Sequence, residues 1–403
     1  MVLNTIVECM ASLGHDVTVA YFGATEHHDA TGVLQAHHYV ALPRPKLWEG
    51  ILDGFRWLIF GKPSLNEALY RSRRAKACLQ KLANDTRAEV VITDMLRTAQ
   101  YGAGLGLPWI ADLDDLLSRR YATLAAGYNA QSNLLGYYRS RAGRWLVASI
   151  SWLMPWILRR EAASARRREI EVARLAHVTT LVSTSEAQTL ALASGRKVYS
   201  APMAVSGPAE RPVLTGRSEN LVFLGGLDYG PNLKSVMQFD EQIGPFLASS
   251  GLEDIKLHVI GQSAGKEAQF SDAVVLKGYV DDMDAAVQSY RVMLVPEVLP
   301  GGIKTKIIVA ALNGTLVMPH KTALDGMGLR DGKEVLSWDT SADLIHLLCK
   351  LRQGDIDVDA ITRAARLWAQ QNYGAEKLRD IWRDMLEAAL DPKGGAESRS
   401  APA

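Results

Sequence analysis

Two glycine-rich stretches carry the residue types that could hold an anion. In LVFLGGLDYGPN (221–232) an apolar run ends in Gly225-Gly226 and a proline-marked helix start follows. A strand, a tight turn and a helix N-terminus in that order bring backbone amides and the positive end of the helix dipole close to a phosphate. The same segment also reads as an ordinary tight αβ connection. The second stretch, VPEVLPGGIKTKIIVAALNG (295–314), holds Glu297, Gly301-Gly302, Ile303 and two cations, Lys304 and Lys306. Glycine removes the Cβ that would block a diphosphate, and ammonium groups neutralise it. Lysines on an amphipathic helix are commonplace, but cations at the head of a helix oppose its dipole, so an anionic ligand would account for them.

A third group is acidic. Asp94, Asp112, Asp114 and Asp115 fall at expected strand ends in the first half, where a carboxylate could act as general base toward an acceptor hydroxyl. Asp112 and Asp115 are the leading pair, with helix caps and ion pairs as the structural alternative. The histidine pairs His27-His28 and His37-His38 have no cysteine or carboxylate at metal spacing, so they read as loop and strand-end residues and no metal site is expected.

The elements that must position these groups alternate between short apolar runs and helical patterns, the mark of doubly wound α/β domains. Strands are expected at 17–22, 37–42, 89–94, 108–113, 177–183 and 197–201. A second set lies at 221–226, 256–261, 274–278, 292–296 and 315–319. A long helical stretch covers roughly 130–175, and another helix opens near Pro231 with Leu233, Val236 and Met237 on one face. At 403 residues the chain exceeds a single core, which stops growing at roughly 250–300 residues. We therefore expect an amino-terminal domain over 1–204, a second over 205–357, a helical return to the first over 358–390, and a disordered tail over 391–403. Two such domains would place their strand ends toward a shared cleft, where these folds bind ligands.

Composition narrows the partners. Lys and Arg number 45 against 44 Asp and Glu, so no nucleic-acid footprint is present. Three scattered cysteines argue against a disulfide framework and favour a reducing cytoplasm. The amino end has no leader-like pattern of basic, apolar and small residues. WLVASISWLMPWIL (145–158), flanked by Arg139, Arg141, Arg144, Arg159 and Arg160, is apolar and Trp-rich. It is too short for a bilayer core of about 30 Å, which needs roughly 20 residues. It reads either as an interfacial helix in peripheral contact with a membrane, which 47–62 would assist, or as a buried helix hairpin.

Taken in order, LVFLGGLDYGPN, LHVIG, VVLKGYVDDMDAAVQSYRVMLVP, GGIKTKIIVAALNGTLVM and TALDGMGLRDGKEVL resemble the donor-binding half of the family 4 glycosyltransferases. The bacterial exopolysaccharide branch, with its Gly-Ile-Lys-x-Lys helix start, is the most similar. DLDDLLSRRY (112–121) and RREIEVARLAHVTTLVSTSEAQTL (167–190) resemble the segments that precede that half.

The resemblance implies a GT-B fold of two Rossmann-like domains facing a cleft. The second domain would hold a nucleoside-diphosphate sugar and the first a saccharide or lipid-linked acceptor. No cofactor or metal is implied, because helix ends and basic residues stabilise the leaving diphosphate in such enzymes. Lys306 matches the branch's recurrent lysine, with Lys304 on the solvent side of the turn.

Two departures stand out. Val309 occupies the place of the family's ribose-binding Glu, and Gly301 that of the Glu before it, which leaves Glu297 or Glu334 to hold the ribose. The family also opens with a strand and a Gly-rich loop, whereas MVLNTIVECMASLGHDVTVAYF starts inside the following helix. A first strand is thus expected to be missing, with the reading frame beginning upstream. A sugar transferase and a non-catalytic GT-B scaffold both remain open, and an epimerase of similar fold fits the loop order less well.

Overall fold

The computed structural model describes residues 2–23, 38–60, 63–126, 153–210, 212–263, 265, 270–297 and 303–391. His27, His28, His37, Gly301, Gly302, the segment 145–152 and the tail beyond Asp391 lie outside them. The chain divides into two compact units, Met1–Met203 with Leu378–Ala403, and Ala204–Lys377.

In the first unit a helix, Val2–Ser12, leads into β1 (Thr18–Tyr21), which pairs in parallel with β2 (His38–Ala41). A separate parallel sheet runs in the order β3 (Val91–Asp94), β4 (Trp109–Asp112), β5 (Val178–Leu181), β6 (Tyr199–Ser200). Among the described residues no strand joins the two sheets. β4 and β5 are buried along their whole length, as strands covered by helices on both faces must be. Close packing behind them is visible at Gly102, where a Cβ would stand 2.2 Å from the Trp109 ring.

The second unit is one parallel sheet ordered β11-β10-β7-β8-β9, with β7 Ser218–Leu224, β8 Leu257–Ile260, β9 Val274–Gly278, β10 Tyr290–Val295 and β11 Leu316–Pro319. β7 is first in sequence and central in space: the chain winds outward through β8 and β9, then crosses back to β10 and β11. The strand order therefore reverses between β7 and β10, and in open α/β sheets the crevice beyond the strand ends at that point is where ligands bind. Leu221 and Phe223 face one apolar layer and Val222 and Leu224 the other, the period of two expected of a strand covered on both faces.

The helix Gly230–Gln242 begins at the expected proline. It buries Leu233 and Val236, but Met237 is 38% exposed and lies off the packed face. The apolar pattern at the carboxyl end, continuous in sequence, is two helices, Val358–Tyr373 and Ala375–Leu390, broken at Gly374. The first stays in the second unit, packing Ala365, Ala369 and Tyr373 beside Ile307 and Ala311. The return starts at Leu378, whereas the pattern alone places it at 358.

The carboxyl ends of β7 and β8 touch through glycines. Gly261 has φ +144°, and a Cβ there would lie 2.6 Å from the Gly225 carbonyl carbon. Gly261→Ala should therefore lose about 1–3 kcal/mol of stability through strain and displacement of the Gly225 turn. Gly251→Ala, at φ +71° with open space around it, should lose less. Urea midpoints of the two variants measure this, and equal midpoints would mean that the Gly225–Gly261 contact constrains nothing.

Candidate functional site

At the strand-order reversal of the second unit, β7 delivers Gly225-Gly226 and β10 delivers Glu297. Gly225 has φ +150°, and a Cβ there would meet the Asn232 side chain at 2.4 Å. Asn232, in the first turn of the helix Gly230–Gln242, donates from Nδ2 to the Gly226 carbonyl at 3.0 Å. Its Oδ1 accepts from Lys306 Nζ at 3.1 Å. The Gly-Gly turn and the lysine are thus tied to each other through one buried amide.

Lys306 lies in the first turn of the helix Thr305–Leu312. Its ammonium sits 4.2 Å from the centroid of the Phe223 ring and donates to the Glu297 carboxylate. Burial pushes the Lys306 ammonium below the ordinary lysine range, Glu297 raises it again, and Lys304 adds to the lowering. Lys304 is also turned inward: its side chain is 15% exposed and its Nζ is 3.7 Å from the other Glu297 oxygen. That corrects its expected place on the solvent side. Glu297 is itself anchored, since its carbonyl accepts from Thr322 Oγ1 at 3.2 Å and Thr322 is held by His320 Nδ1 at 2.8 Å. Two cations and one carboxylate in a shielded crevice leave a net positive site.

The remaining expected groups are placed as follows. Ile303 packs against the apolar layer that holds Ile307 and Val295. Val309 packs on that same layer and offers a ribose no acceptor. Glu334 is buried and fully engaged: its oxygens accept from the Arg330 backbone N–H at 2.9 Å and from the Arg330 guanidinium. Burial would raise the Glu334 pKa, and these bonds more than offset that, so the carboxyl stays below its usual range. Asn232 is the member that the sequence reading missed. Its signal was an amide in the first turn after a Gly-Gly loop, where a side chain can reach back to the loop's carbonyl.

In the first unit the acidic cluster assembles at the ends of β3 and β4. Asp112 is 2% exposed. Burial pushes its carboxyl up to about 8, the Asp114 backbone N–H opposes this, and Asp94 and Asp114 add to it. Asp114 carries a positive φ of 63°, held by a bond from its N–H to Asp112 Oδ1 at 3.1 Å and by the Val182 N–H on its carbonyl. Its carboxyl is pushed up to about 6, by burial first and then by Asp115 and Asp94. Asp115 pairs with Arg120 through one oxygen, while its buried Oδ1 has no partner among the described residues. Of the expected pair, Asp112 is the interior carboxyl and Asp115 the ion-paired one, and Asp114 between them has its carboxyl raised to about 6.

With this geometry in place, comparison with known proteins narrows the reading. Residues 218–350 match the model of the family described as Glycosyl transferases group 1. The matched segment runs from β7 into the helix Ser341–Gln353 and so includes the elements around the β7–β10 crevice. Among solved structures, a sucrose-phosphate synthase from Thermosynechococcus elongatus superposes with a TM-score of 0.64 at 14% identity, over 96% of this chain and 93% of that one. A glycosyltransferase from Rickettsia africae gives 0.60 at 10% identity, over 96% and 94%. Anabaena HepE, solved in complex with UDP, gives 0.53 at 13% identity, over 78% and 82%. The fold is therefore GT-B, with two Rossmann-like domains. No curated protein matches the chain in sequence.

The raised carboxyls have a measurable consequence. A carboxyl whose folded pKa lies above its unfolded value contributes stability below the unfolded value, and that stability is lost as pH rises through the folded one. For Asp112 that window runs from the ordinary 3.8 to about 8. Asp112→Asn can keep the bond to the Asp114 N–H and removes the charge. It should raise the melting midpoint at pH 8 relative to wild type and flatten the decline between pH 5 and 8, by at least about 1.4 kcal/mol, the equivalent of one pKa unit. Parallel pH profiles of the two proteins would contradict the assignment.

Proposed function

We propose that the chain is a glycosyltransferase that moves a sugar from a nucleoside-diphosphate donor, held at the β7–β10 crevice, to a saccharide acceptor. The observation that carries this reading is Lys306, its side chain only 12% exposed, fixed by Asn232 against the Gly225-Gly226 turn. A diphosphate gains negative charge as its bond to the sugar breaks, so a positioned ammonium beside helix amides stabilises the transition state more than the ground state. Glu297 pairs with both cations, and an arriving diphosphate would take its place beside them.

The family match over this segment supports the reading. So do the nucleotide complexes of structural neighbours, since HepE has been solved with UDP and with UDP-glucose. The acceptor is proposed to be a lipid-linked or polymeric saccharide in cell-surface polysaccharide synthesis, met in the cytoplasm at the inner face of a membrane. The reaction is proposed to run without a metal. Its general base is proposed to come from the Asp112–Asp115 cluster, within which Asp114, with a carboxyl near 6, is the best matched to accept a proton near neutral pH.

A non-catalytic scaffold is the second reading, favoured by Val309 at the ribose position. The two separate in a thermal-shift screen of nucleotide sugars. A ligand that binds only the folded state raises the midpoint by mass action, by about 2.7 kcal/mol of stabilisation at a hundredfold excess over Kd. The transferase reading expects one donor to do so, and expects Val309→Glu to enlarge its shift by restoring an acceptor for the ribose. No shift with any nucleotide sugar would favour the scaffold, and a harmful Val309→Glu would mean that the ribose is held elsewhere.

A further inference from the structure

The helix Leu47–Phe60 turns its apolar side outward. Trp48, Ile51, Leu52, Phe55, Ile59 and Phe60 are each more than half exposed, and the first five recur at the i, i+3, i+4, i+7 and i+11 positions of one helical face. Its inner side is Asp53 and Trp57, both buried. Soluble surfaces scatter single apolar side chains, whereas a contiguous exposed set of this size marks an interaction site. We propose that this helix docks flat on an anionic lipid bilayer.

Charge placement favours that occupant. The helix has two acids, Glu49 and Asp53, and neither belongs to the apolar stripe of Trp48, Ile51, Leu52, Phe55 and Ile59. Glu49 accepts from the Lys46 backbone N–H at 2.9 Å, and Asp53 is paired by Arg56 at 3.1 Å and Arg71 at 3.6 Å. The cations stay outside: Lys46 and Arg159 are exposed, and the Arg56 side chain is 63% exposed. Arg160 stacks over Trp57 and Trp156 at 5.7 and 5.5 Å and donates to the Leu58 carbonyl at 2.8 Å. That contact joins the start of the helix Met154–Leu175, with its 46% exposed Trp156, to the same surface.

An apolar face with indoles at its margin and arginine and lysine around it is the pattern of a helix lying in the headgroup layer. The consecutive exposure of Leu58, Ile59 and Phe60 spreads apolar surface around the last turn. A second copy meeting the helix along one packed seam would leave part of that turn in water, while a bilayer takes it whole. No helix among the described residues is long and apolar enough to cross a membrane, so the contact is peripheral. Part of the Trp-rich stretch expected to make such a contact lies outside the described residues, and the described surface shifts the assignment to the helix Leu47–Phe60.

This inference deepens the membrane-side setting of the proposed transfer but is read without donor or acceptor, so the two can fail separately. The test is co-sedimentation with phosphatidylcholine vesicles, with and without about one third phosphatidylglycerol, at low and high salt. Wild type should bind the anionic vesicles and weaken with salt, because surface charge attraction is screened. The variant Ile51→Ser/Phe55→Ser/Ile59→Ser should lose binding by about tenfold or more with an unchanged melting midpoint, since all three side chains are exposed. Lys46→Glu/Arg159→Glu should lose the preference for anionic vesicles. Absence of wild-type binding, or equal binding by the serine variant, overturns the proposal. So does a vesicle-free dimer that the serine variant turns into a monomer, because the face would then be an interface between copies.

Discussion

A lysine buried beside a carboxylate must be compensated on every side, and Lys306 is the group around which the second unit is arranged. Removing an ammonium from water costs several kcal/mol unless charge and hydrogen bonds replace the solvent. Glu297, Asn232 Oδ1 and the face of Phe223 do this, and each arrives from a different element. β10 brings Glu297, the helix after β7 brings Asn232, and β7 itself brings Phe223. The arrangement requires β7 and β10 to be neighbours, which the crossover after β9 achieves, and requires glycine at 225 so that Asn232 can approach the turn. A structural ion pair of equal strength could be built on the surface at far lower cost. Its placement at the strand-order reversal, with Lys304 adding a second positive charge, makes sense for a site whose eventual anion is a ligand.

The first unit uses a different device. Asp112 and Asp114 are both raised by burial first and then by neighbouring carboxylates, Asp94 among them in each case, and Asp114 and Met95 both hold positive φ at adjacent strand ends, 63° and 66°. The Met95 N–H bonds the Asp112 carbonyl at 2.8 Å, so the two strained residues brace one corner. Strain of this sort costs about 1–3 kcal/mol per residue and persists only where the surroundings enforce it. A pair of carboxyls held partly protonated near neutrality is suited to proton transfer, whereas fully solvated aspartates would be poor bases at the same pH.

Much of the fold was legible because parallel strands buried on both faces are short unbroken apolar runs, as in VMLVP and LVFLGG, and these stand out against amphipathic helices. Lys306 stood out because Gly-Gly-Ile-Lys has the residue types of a phosphate-type turn, and the structure brings that lysine to Asn232 and Glu297. Asn232 did not, because its meaning lies in a contact with a residue 74 positions away. The inward turn of Lys304 depends on Glu297, and spacing along a loop does not fix the direction in which a side chain leaves it. The exposed face of the helix Leu47–Phe60 was only half legible. Its composition announced an apolar helix, but a helix apolar on most sides reads equally as core until its outer side is seen to be uncovered.

If Lys306 supplies charge to a leaving diphosphate, turnover with the donor must depend on its ammonium. The variant to measure is Lys306→Met combined with Glu297→Gln, so that no buried carboxylate is left stranded. Its melting midpoint should stay near that of wild type while turnover falls by about a hundred- to thousandfold, the loss expected when one charged donor to a developing oxyanion is removed. Lys306→Arg should restore only part, because a planar fork does not replace a compact ammonium on a flexible stem. Near-normal turnover in a well-folded double variant would mean that Lys306 takes no part in the reaction.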